Sequence, residues 1–284
     1  GYFKVIHTGT SERDAEALIE DGDAQFMVVI PNDFTKALLR GEQPAVLVSV
    51  DATDPSASGN AIAALGNVAG LALAHDLKGP LASLNASAAP FELRVHRRYN
   101  PEGLSRYNIV PGLIGTILTM TMVMLTSLAM TRERERGTME NLLATPVRPF
   151  EVMVGKIAPY VVIGYIQLGV ILAAAALLFE VPMEGSLVLL LAMIGVFMLA
   201  NLAVGFTFST LARNQLQAMQ MTFFFFLPSM LLSGFMFPFR GMPEWAQILG
   251  EVLPLTHFLR IVRGIMLKGH DALHVLPELW PLLT

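Results

Sequence analysis

Two long apolar runs on either side of a short charged interval constrain this chain more than any other feature. Residues 111–131 and 157–179 contain no Asp, Glu, Lys, Arg or His. A helix that crosses the hydrocarbon of a bilayer needs about 20 apolar residues. Both runs are long enough, so the sequence predicts two membrane spans with the charged interval, residues 132–156, in a loop between them.

The composition also favours an integral membrane protein. Of the 284 residues, 54% are hydrophobic and 15% are charged, whereas a soluble domain carries about 25% charged residues. Two more apolar runs, 187–211 and 216–237, predict further spans. Charged residues are frequent before residue 107 and sparse afterwards, so a polar domain, 1–107, is predicted to precede a transmembrane domain, 108–284. The sequence has no cysteine, which excludes disulfides and thiolate chemistry, and its net charge of −4 disfavours a nucleic-acid partner.

Strand-like and helix-like segments alternate in the polar domain, which predicts a small α/β fold. Ser11 and Ser56 are the predicted N-caps of two helices, the second of which runs over 57–77. The predicted strands are the apolar or β-type runs at 3–7, 24–30, 45–50 and 91–97. Nothing in this domain resembles a catalytic constellation.

The last part of the chain is less regular. Residues 238–268 are amphipathic and interrupted at Pro254, which predicts a pair of short re-entrant or interfacial helices. Residues 274–284 are apolar but too short to cross a bilayer, so they are interpreted as the start of a last span. Both ends of the chain are interpreted as truncations, because a polar domain outside the cytoplasm needs an earlier span to carry it across.

The orientation in the membrane follows from the lysines and arginines of the short loops. The interval 132–156 contains five such residues, whereas the loop at 180–186 contains none. The charged interval is therefore predicted to be cytoplasmic, which places residues 1–107 and 238–268 outside. The basic residues within 238–268 argue against this assignment.

The charged interval itself has two interpretations. It can form an amphipathic surface helix that ends at Thr145-Pro146 and acts as a lever joining two spans. Alternatively, its charges pair with one another and with lipid headgroups and have no further role. On loop composition alone, the second interpretation is favoured.

The interval resembles a family signature, however. Its residues 133–146 read ERERGTMENLLATP, with Gly155-Lys156 following, and look like the E-R-E-x-G-T-x-E-x-L-L-x-T-P and GK pattern of ABC-2 type permeases, the membrane subunits of ATP-driven exporters. The segments 28–34 and 50–55 are similar to the extracytoplasmic domain of the drug-efflux branch, and 232–243 with 254–269 are similar to its outer re-entrant region. The resemblance covers nearly the whole chain.

This resemblance implies a helical polytopic bundle with six spans in the intact chain and an extracytoplasmic α/β domain, located in the bacterial inner membrane. It implies that 132–146 is a coupling helix seated in a separate or fused ABC ATPase, which would hydrolyse ATP with Mg²⁺. The implied partners are this ATPase, a second identical or homologous permease subunit and, as a further candidate, a periplasmic adaptor. The implied coupling residues are Glu135, Gly137, Thr138, Glu140, Leu142, Thr145 and Pro146.

No ATPase site is expected within the chain. Gly155-Lys156 fails the P-loop pattern because Phe150 occupies the place of the first glycine and Ile157 that of the Ser or Thr. The chain is thus expected to be a permease without enzymatic activity of its own.

Three residues of the predicted spans are candidates for a translocation path: Asn201, Phe223 and Phe226. Asn201 is polar where polarity is costly, although packing between helices explains it equally. The phenylalanines could line an apolar path or face lipid. His270 and His274 have a spacing that two metal ligands on a helix can use, but a metal site needs more ligands, so no metal is expected.

Two functions of other classes compete with an exporter. One is a membrane-anchored sensor or interaction protein that acts through residues 1–107. The other is an ion-coupled transporter, which is disfavoured because 111–131, 157–179 and 187–211 contain no carboxylate or lysine for an ion relay.

Overall fold

The computed structural model of the chain describes residues 3–73, 91–137 and 149–283. Its backbone forms two compact units that divide between Ser105 and Arg106. The first unit contains a sheet with helices, and the second is helical.

The first unit is built on a three-stranded sheet of order β1-β2-β3. Its strands are β1 (Phe26–Val29), β2 (Ala45–Asp51) and β3 (Glu92–Arg98). Strand β2 is central, antiparallel to β1 and parallel to β3, and Val48 lies opposite both Val28 and Val95. The three strands lie within three of the predicted runs. The central strand, β2, buries apolar side chains, including Val48, in the core of this unit.

The strand predicted at 3–7 was wrong. Residues 3–7 have no regular structure, and Phe3 instead packs edge-on against Phe26 with ring centroids 5.8 Å apart. A short β-type sequence becomes a strand only where a sheet edge pairs with it, and here the aromatic side chain makes the contact.

Helices α1 (Glu12–Glu20), α2 (Phe34–Leu39) and α3 (Pro55–Ala72) complete the first unit. Ser11 caps α1 as predicted, since its hydroxyl accepts a hydrogen bond of 3.2 Å from the amide of Asp14. The cap of α3 is Asp54 and not Ser56. Pro55 suits the first helical position, and the Asp54 carboxylate accepts from the amides of Ser56 and Ala57.

The second unit begins with four long helices, α4 (Arg106–Glu135), α5 (Pro149–Leu177), α6 (Leu187–Leu211) and α7 (Gln215–Leu232). In the part of the chain that the structure describes, three helices are long and apolar enough to cross a membrane: Arg106–Glu135, Val154–Leu177 and Leu187–Leu211.

The helix in the region of the fourth predicted span, 216–237, ends earlier than predicted and is not among the three helices that could cross a membrane. Helix α7 ends at Leu232 because the backbone turns at Gly234, whose φ of +87° is the left-handed conformation that glycine adopts readily. Three glutamines in its first turns, Gln215, Gln217 and Gln220, lower its apolar character.

The predicted loop over 132–156 is shorter in the structure. Residues 132–135 continue α4, and α5 already begins at Pro149. Glutamate and arginine have high helix propensity, so a helix can extend beyond its apolar segment into charged sequence.

Short helices follow: a 3₁₀ turn at Phe239–Gly241, α8 (Glu244–Glu251), α9 (Pro254–Arg263), a π-helical turn at Gly264–Lys268 and α10 (Ala272–Leu283). Helix α9 begins at the predicted break, Pro254. It is buried on nearly all sides, with Leu255 and Phe258 at most 1% exposed. The region is therefore not uniformly interfacial, because α9 belongs to the core of the second unit.

The core of this unit forms around α4, which packs against α5, α6, α7 and α9. Phe197 of α6 stacks on Phe258 of α9 with ring centroids 3.9 Å apart. Gly205 of α6 permits a close approach, since a Cβ there would lie 2.7 Å from the carbonyl oxygen of Val123 in α4. Small residues at such crossings let membrane helices pack closely.

Candidate functional site

Three consecutive residues at the end of α4, Glu133, Arg134 and Glu135, form what we call the α4 end cluster. Successive residues of a helix point about 100° apart, so the three side chains reach in different directions. Each one contacts a different neighbouring helix. The cluster therefore ties one end of α4 to three other helices.

Glu133 forms an ion pair with Lys156 of α5. Arg134 donates hydrogen bonds to the carbonyl oxygens of Thr210, at 3.1 Å, and Ala212, at 3.4 Å, at the end of α6. A cation is favourable at this position because the last carbonyl groups of a helix have no partner within it and carry partial negative charge.

The carboxylate of Glu135, one of the predicted coupling residues and the last residue of α4, contacts the beginning of α7. It accepts hydrogen bonds from the backbone amide of Gln215, at 2.9 Å, and from the Gln215 side chain. A carboxylate at a helix N-terminus satisfies amides that the helix leaves free and meets the positive end of the helix dipole. Glu135 is exposed, so this contact stabilises the fold only slightly and serves chiefly to hold the two helix ends together.

Gly137, the second predicted coupling residue that the structure describes, ends α4. Its φ is +68°, and its amide donates to the carbonyl of Arg134 at 3.2 Å. Left-handed glycine after the last turn is a common way to end a helix, because other side chains are strained in this conformation. The remaining predicted coupling residues lie outside the described residues: Thr138, Glu140, Leu142, Thr145 and Pro146.

The three residues predicted for a translocation path are not brought to one surface. Asn201 is fully buried in α6, where its side-chain amide donates to the carbonyl of Phe197 at 2.9 Å. Phe223 is 42% exposed on α7, and Phe226 is half-buried. It is the neighbouring Phe225 that packs edge-on against Phe208 of α6, at 5.6 Å. Path lining by these three residues remains a prediction.

A second polar cluster involves His257, which none of the sequence predictions includes. It contains Glu251 of α8, His257 and Arg260 of α9, and Glu278 of α10, and we call it the α9 charge cluster. His257 Nδ1 lies 2.5 Å from Glu278 Oε2, and Nε2 lies 2.8 Å from the carbonyl oxygen of Glu251. Arg260 contacts the carboxylates of Glu251, at 2.5 Å, and Glu278, at 3.2 Å.

The surroundings of His257 favour its protonated form. Burial disfavours the charged ring, but the hydrogen bonds to the Glu278 carboxylate and the Glu251 carbonyl, with the negative charge of Glu278, raise the pKa of His257 above its ordinary value. Both ring nitrogens face oxygen acceptors, so both can donate only when the ring is an imidazolium. The positive charge of Arg260 opposes this only in part.

Two sequence signals could have revealed this cluster. His257 and Arg260 are three residues apart, which places them on one helix face, and Glu278 is a single carboxylate in an apolar run.

The two histidines with metal-ligand spacing, His270 and His274, stack with ring centroids 5.2 Å apart. Among the residues that the structure describes, no group of three or more His, Asp or Glu is placed to hold a metal ion.

Long apolar helices joined at one end by a charged cluster, with a polar unit before them in the sequence, are the features of a multi-pass membrane protein. The family model described as "ABC-2 family transporter protein" matches residues 1–283, so the chain belongs to the ABC-2 transporter family.

Bacterial relatives agree with this assignment. The chain is 35% identical over 193 residues to "Probable multidrug ABC transporter permease YbhR" of Escherichia coli K12, covering 68% of this chain and 52% of that protein. It is 30% identical over 255 residues to "Probable multidrug ABC transporter permease YbhS" of the same organism, covering 89% and 67%. It is 31% identical over 280 residues to "Inner membrane transport permease YhhJ", covering 95% and 72%. The chain thus spans about half the length of YbhR. No solved structure matches it.

Proposed function

We propose that this chain is the permease part of an ATP-driven exporter in which the α4 end cluster and the segment after it receive the stroke of an ABC ATPase. The observation that carries the proposal is the set of contacts from Glu133, Arg134 and Glu135 to α5, α6 and α7. A force applied at Gly137 or just beyond it would act on four helix ends together. The predicted coupling residues from Thr138 to Pro146 would form the surface on which the ATPase acts.

The orientation is part of the proposal. The α4 end cluster is in the cytoplasm, where basic loops accumulate, and residues 1–107 are extracytoplasmic. Six spans in the intact protein are also part of the proposal. The name of the relative YhhJ, an inner membrane transport permease, supports a bacterial inner-membrane location.

The proposed substrate is an apolar or amphiphilic small molecule moved out of the cytoplasm. Support comes from the relatives YbhR and YbhS, which are named multidrug permeases. The proposed partners are an ABC ATPase, separate or fused, which binds ATP and Mg²⁺, and a second permease subunit, identical or homologous. A periplasmic adaptor is a further partner to be sought. The permease itself is proposed to have no ATPase site.

The test is to purify the full-length protein with a candidate ABC ATPase and to measure substrate-stimulated ATP hydrolysis for Glu135→Ala and Glu135→Gln. Glutamine keeps an oxygen that can accept from the Gln215 amide, whereas alanine removes the contact. Because coupling between sites is typically worth a factor of five or more, we expect stimulation to fall about fivefold in Glu135→Ala and less in Glu135→Gln. Assembly with the ATPase, followed by size-exclusion chromatography, should persist.

Glu102→Ala is the matched control, since Glu102 is an exposed glutamate in the first unit. It should retain the stimulated activity of the unchanged protein. Equal stimulation in Glu135→Ala and in the control would show that the α4 end cluster does not transmit the stroke. Transport without any bound ATPase would reject the exporter proposal itself.

A further inference from the structure

The α9 charge cluster connects three helices through two carboxylates. Glu251 belongs to α8 and Glu278 to α10, and both lie against His257 and Arg260 of α9. Within the described residues, these are the charged groups that face the His257 ring. The set of four side chains is neutral when the ring is protonated and carries one excess negative charge when the ring is neutral. Because the His257 side chain is buried, water screens that excess charge poorly.

Arg260 is the part of the cluster that does not titrate. A guanidinium in a protein stays charged at any pH at which the fold persists. Its Cζ also lies 4.9 Å from the centre of the Phe239 ring, which adds a cation–π attraction. Arg260 is 2.5 Å from the Glu251 carboxylate and 3.2 Å from that of Glu278. Its closer contact is therefore with α8.

His257 is the part that titrates, and the attachment of Glu278 depends on it. The contact of 2.5 Å from Nδ1 to Oε2 is shorter than either contact of Glu278 with Arg260. A neutral imidazole has one proton, so either tautomer leaves one ring nitrogen without a proton opposite an oxygen. Both tautomers also lose the positive charge that attracts Glu278. Loss of the proton thus weakens the hold on α10, whereas Glu251 keeps its ion pair with Arg260.

Helix α10 is otherwise loosely held. Pro277 and Pro281 lie inside it and have no amide hydrogen, so two of its backbone hydrogen bonds cannot form. Val275 and Leu282 are buried. Four other apolar side chains are more than half exposed: Leu273, Leu276, Trp280 and Leu283. A short helix with few buried contacts opens locally at a low free energy, so the contacts of Glu278 make a large share of its attachment.

We propose that the α9 charge cluster is a proton-operated clasp that holds α10 against α9 while His257 is protonated and loosens α10, but not α8, when the proton leaves. The raised pKa of His257 places this release above about pH 6.5, the ordinary value for histidine. The clasp depends only on contacts among α8, α9 and α10, so it does not rest on the exporter function.

The test is hydrogen–deuterium exchange of the full-length protein in nanodiscs, measured by mass spectrometry at about pH 6 and about pH 8.5. Protection factors, which correct for the faster intrinsic exchange at higher pH, are compared for peptides of α10 and α8. The variants are His257→Gln and Glu278→Gln, each of which removes one charge of the clasp. His274→Gln is the matched control, because His274 is the histidine within α10 itself, where it stacks on His270.

We expect the protection of α10 in the unchanged protein to fall about fivefold from the lower to the higher pH, since one charged contact that is partly open to solvent is lost. The protection of α8 should change by less than about twofold, because the Arg260–Glu251 pair remains. His257→Gln and Glu278→Gln should show low α10 protection at both pH values. His274→Gln should keep the fall.

Equal α10 protection at the two pH values in the unchanged protein would overturn the clasp, as would a fall that persists in both His257→Gln and Glu278→Gln. A fall of the same size in α8 would contradict it too, because the release would then be general. A fall that His274→Gln abolishes would assign the effect to the His270–His274 pair instead. Should His257→Gln fail to fold, Glu278→Gln decides alone, since its side chain is less buried than that of the histidine.

Discussion

The α9 charge cluster makes a prediction that depends on pH. Glu278→Gln keeps the shape of the side chain but removes the negative charge that faces both His257 and Arg260. Glutamine offers one oxygen where the carboxylate offered two. The His257 ring, only 6% exposed at its side chain, then has no anionic partner on Nδ1.

The size of the effect follows from the exposure of the partners. A hydrogen bond to a charged group contributes about 1.5–3 kcal/mol when it is buried. The side chains of Glu278 and Arg260 are 29% and 37% exposed, so solvent weakens the contribution of the Glu278–Arg260 ion pair to stability. We therefore expect Glu278→Gln to lower the free energy of unfolding by about 1–2 kcal/mol. For a domain of this size, that corresponds to a loss of about 3–6 °C in melting temperature.

The sign of the pH dependence is fixed by the raised pKa of His257. The folded protein binds this proton more tightly than the unfolded chain does. The resulting stability is fully present below about pH 6.5, the ordinary histidine pKa, and is lost as the pH rises through the raised value. The groups that face His257 are Glu278 and Glu251, which favour its charge, and Arg260, which opposes it.

The assay is thermal unfolding of the purified full-length protein, followed by tryptophan fluorescence at several pH values from about 6 to 8.5. The sequence has two tryptophans, Trp245 in α8 and Trp280 in α10, so the signal reports on helices that the cluster joins. The unchanged protein should lose stability across this range, and Glu278→Gln should lose much less. Parallel curves for the two proteins would refute the argument, as would an unchanged protein that becomes more stable towards higher pH.

Three further predictions concern packing and helix ends. Gly205→Leu should destabilise the helical unit by about 1–3 kcal/mol, because its side chain meets the Val123 carbonyl and Thr126; a normal melting temperature would contradict this. Asp54→Ala should cost about 1 kcal/mol through loss of the α3 cap, measured as faster amide exchange in residues 56–60, with Asp54→Asn retaining most of the protection. Arg134→Ala should speed exchange at the end of α6 and the start of α7 while changing the melting temperature by less than about 3 °C, since the contact is exposed.

Local signals in the sequence predicted much of the architecture. Ser11 caps α1, Pro254 begins α9, and the apolar runs at 111–131 and 187–211 lie within α4 and α6. Each of these features depends on neighbours within a few residues, so it can be recognised without a structure. Predictions that depended on a partner far along the chain did less well, as the missing strand at 3–7 shows.

The amino-acid sequence by itself determined that the chain belongs in a membrane, because the cost of hydrating or burying each side chain is a property of composition and run length. It also determined that a charged interval separates the first two apolar runs. Only the tertiary structure decided which charges meet, since Glu135 and Gln215, or His257 and Glu278, are far apart in sequence and are brought together by helix packing. Helix packing, which encloses side chains that are distant in the sequence, also buries Asn201 and Thr126, and among the described residues one side-chain oxygen of each has no hydrogen-bond partner.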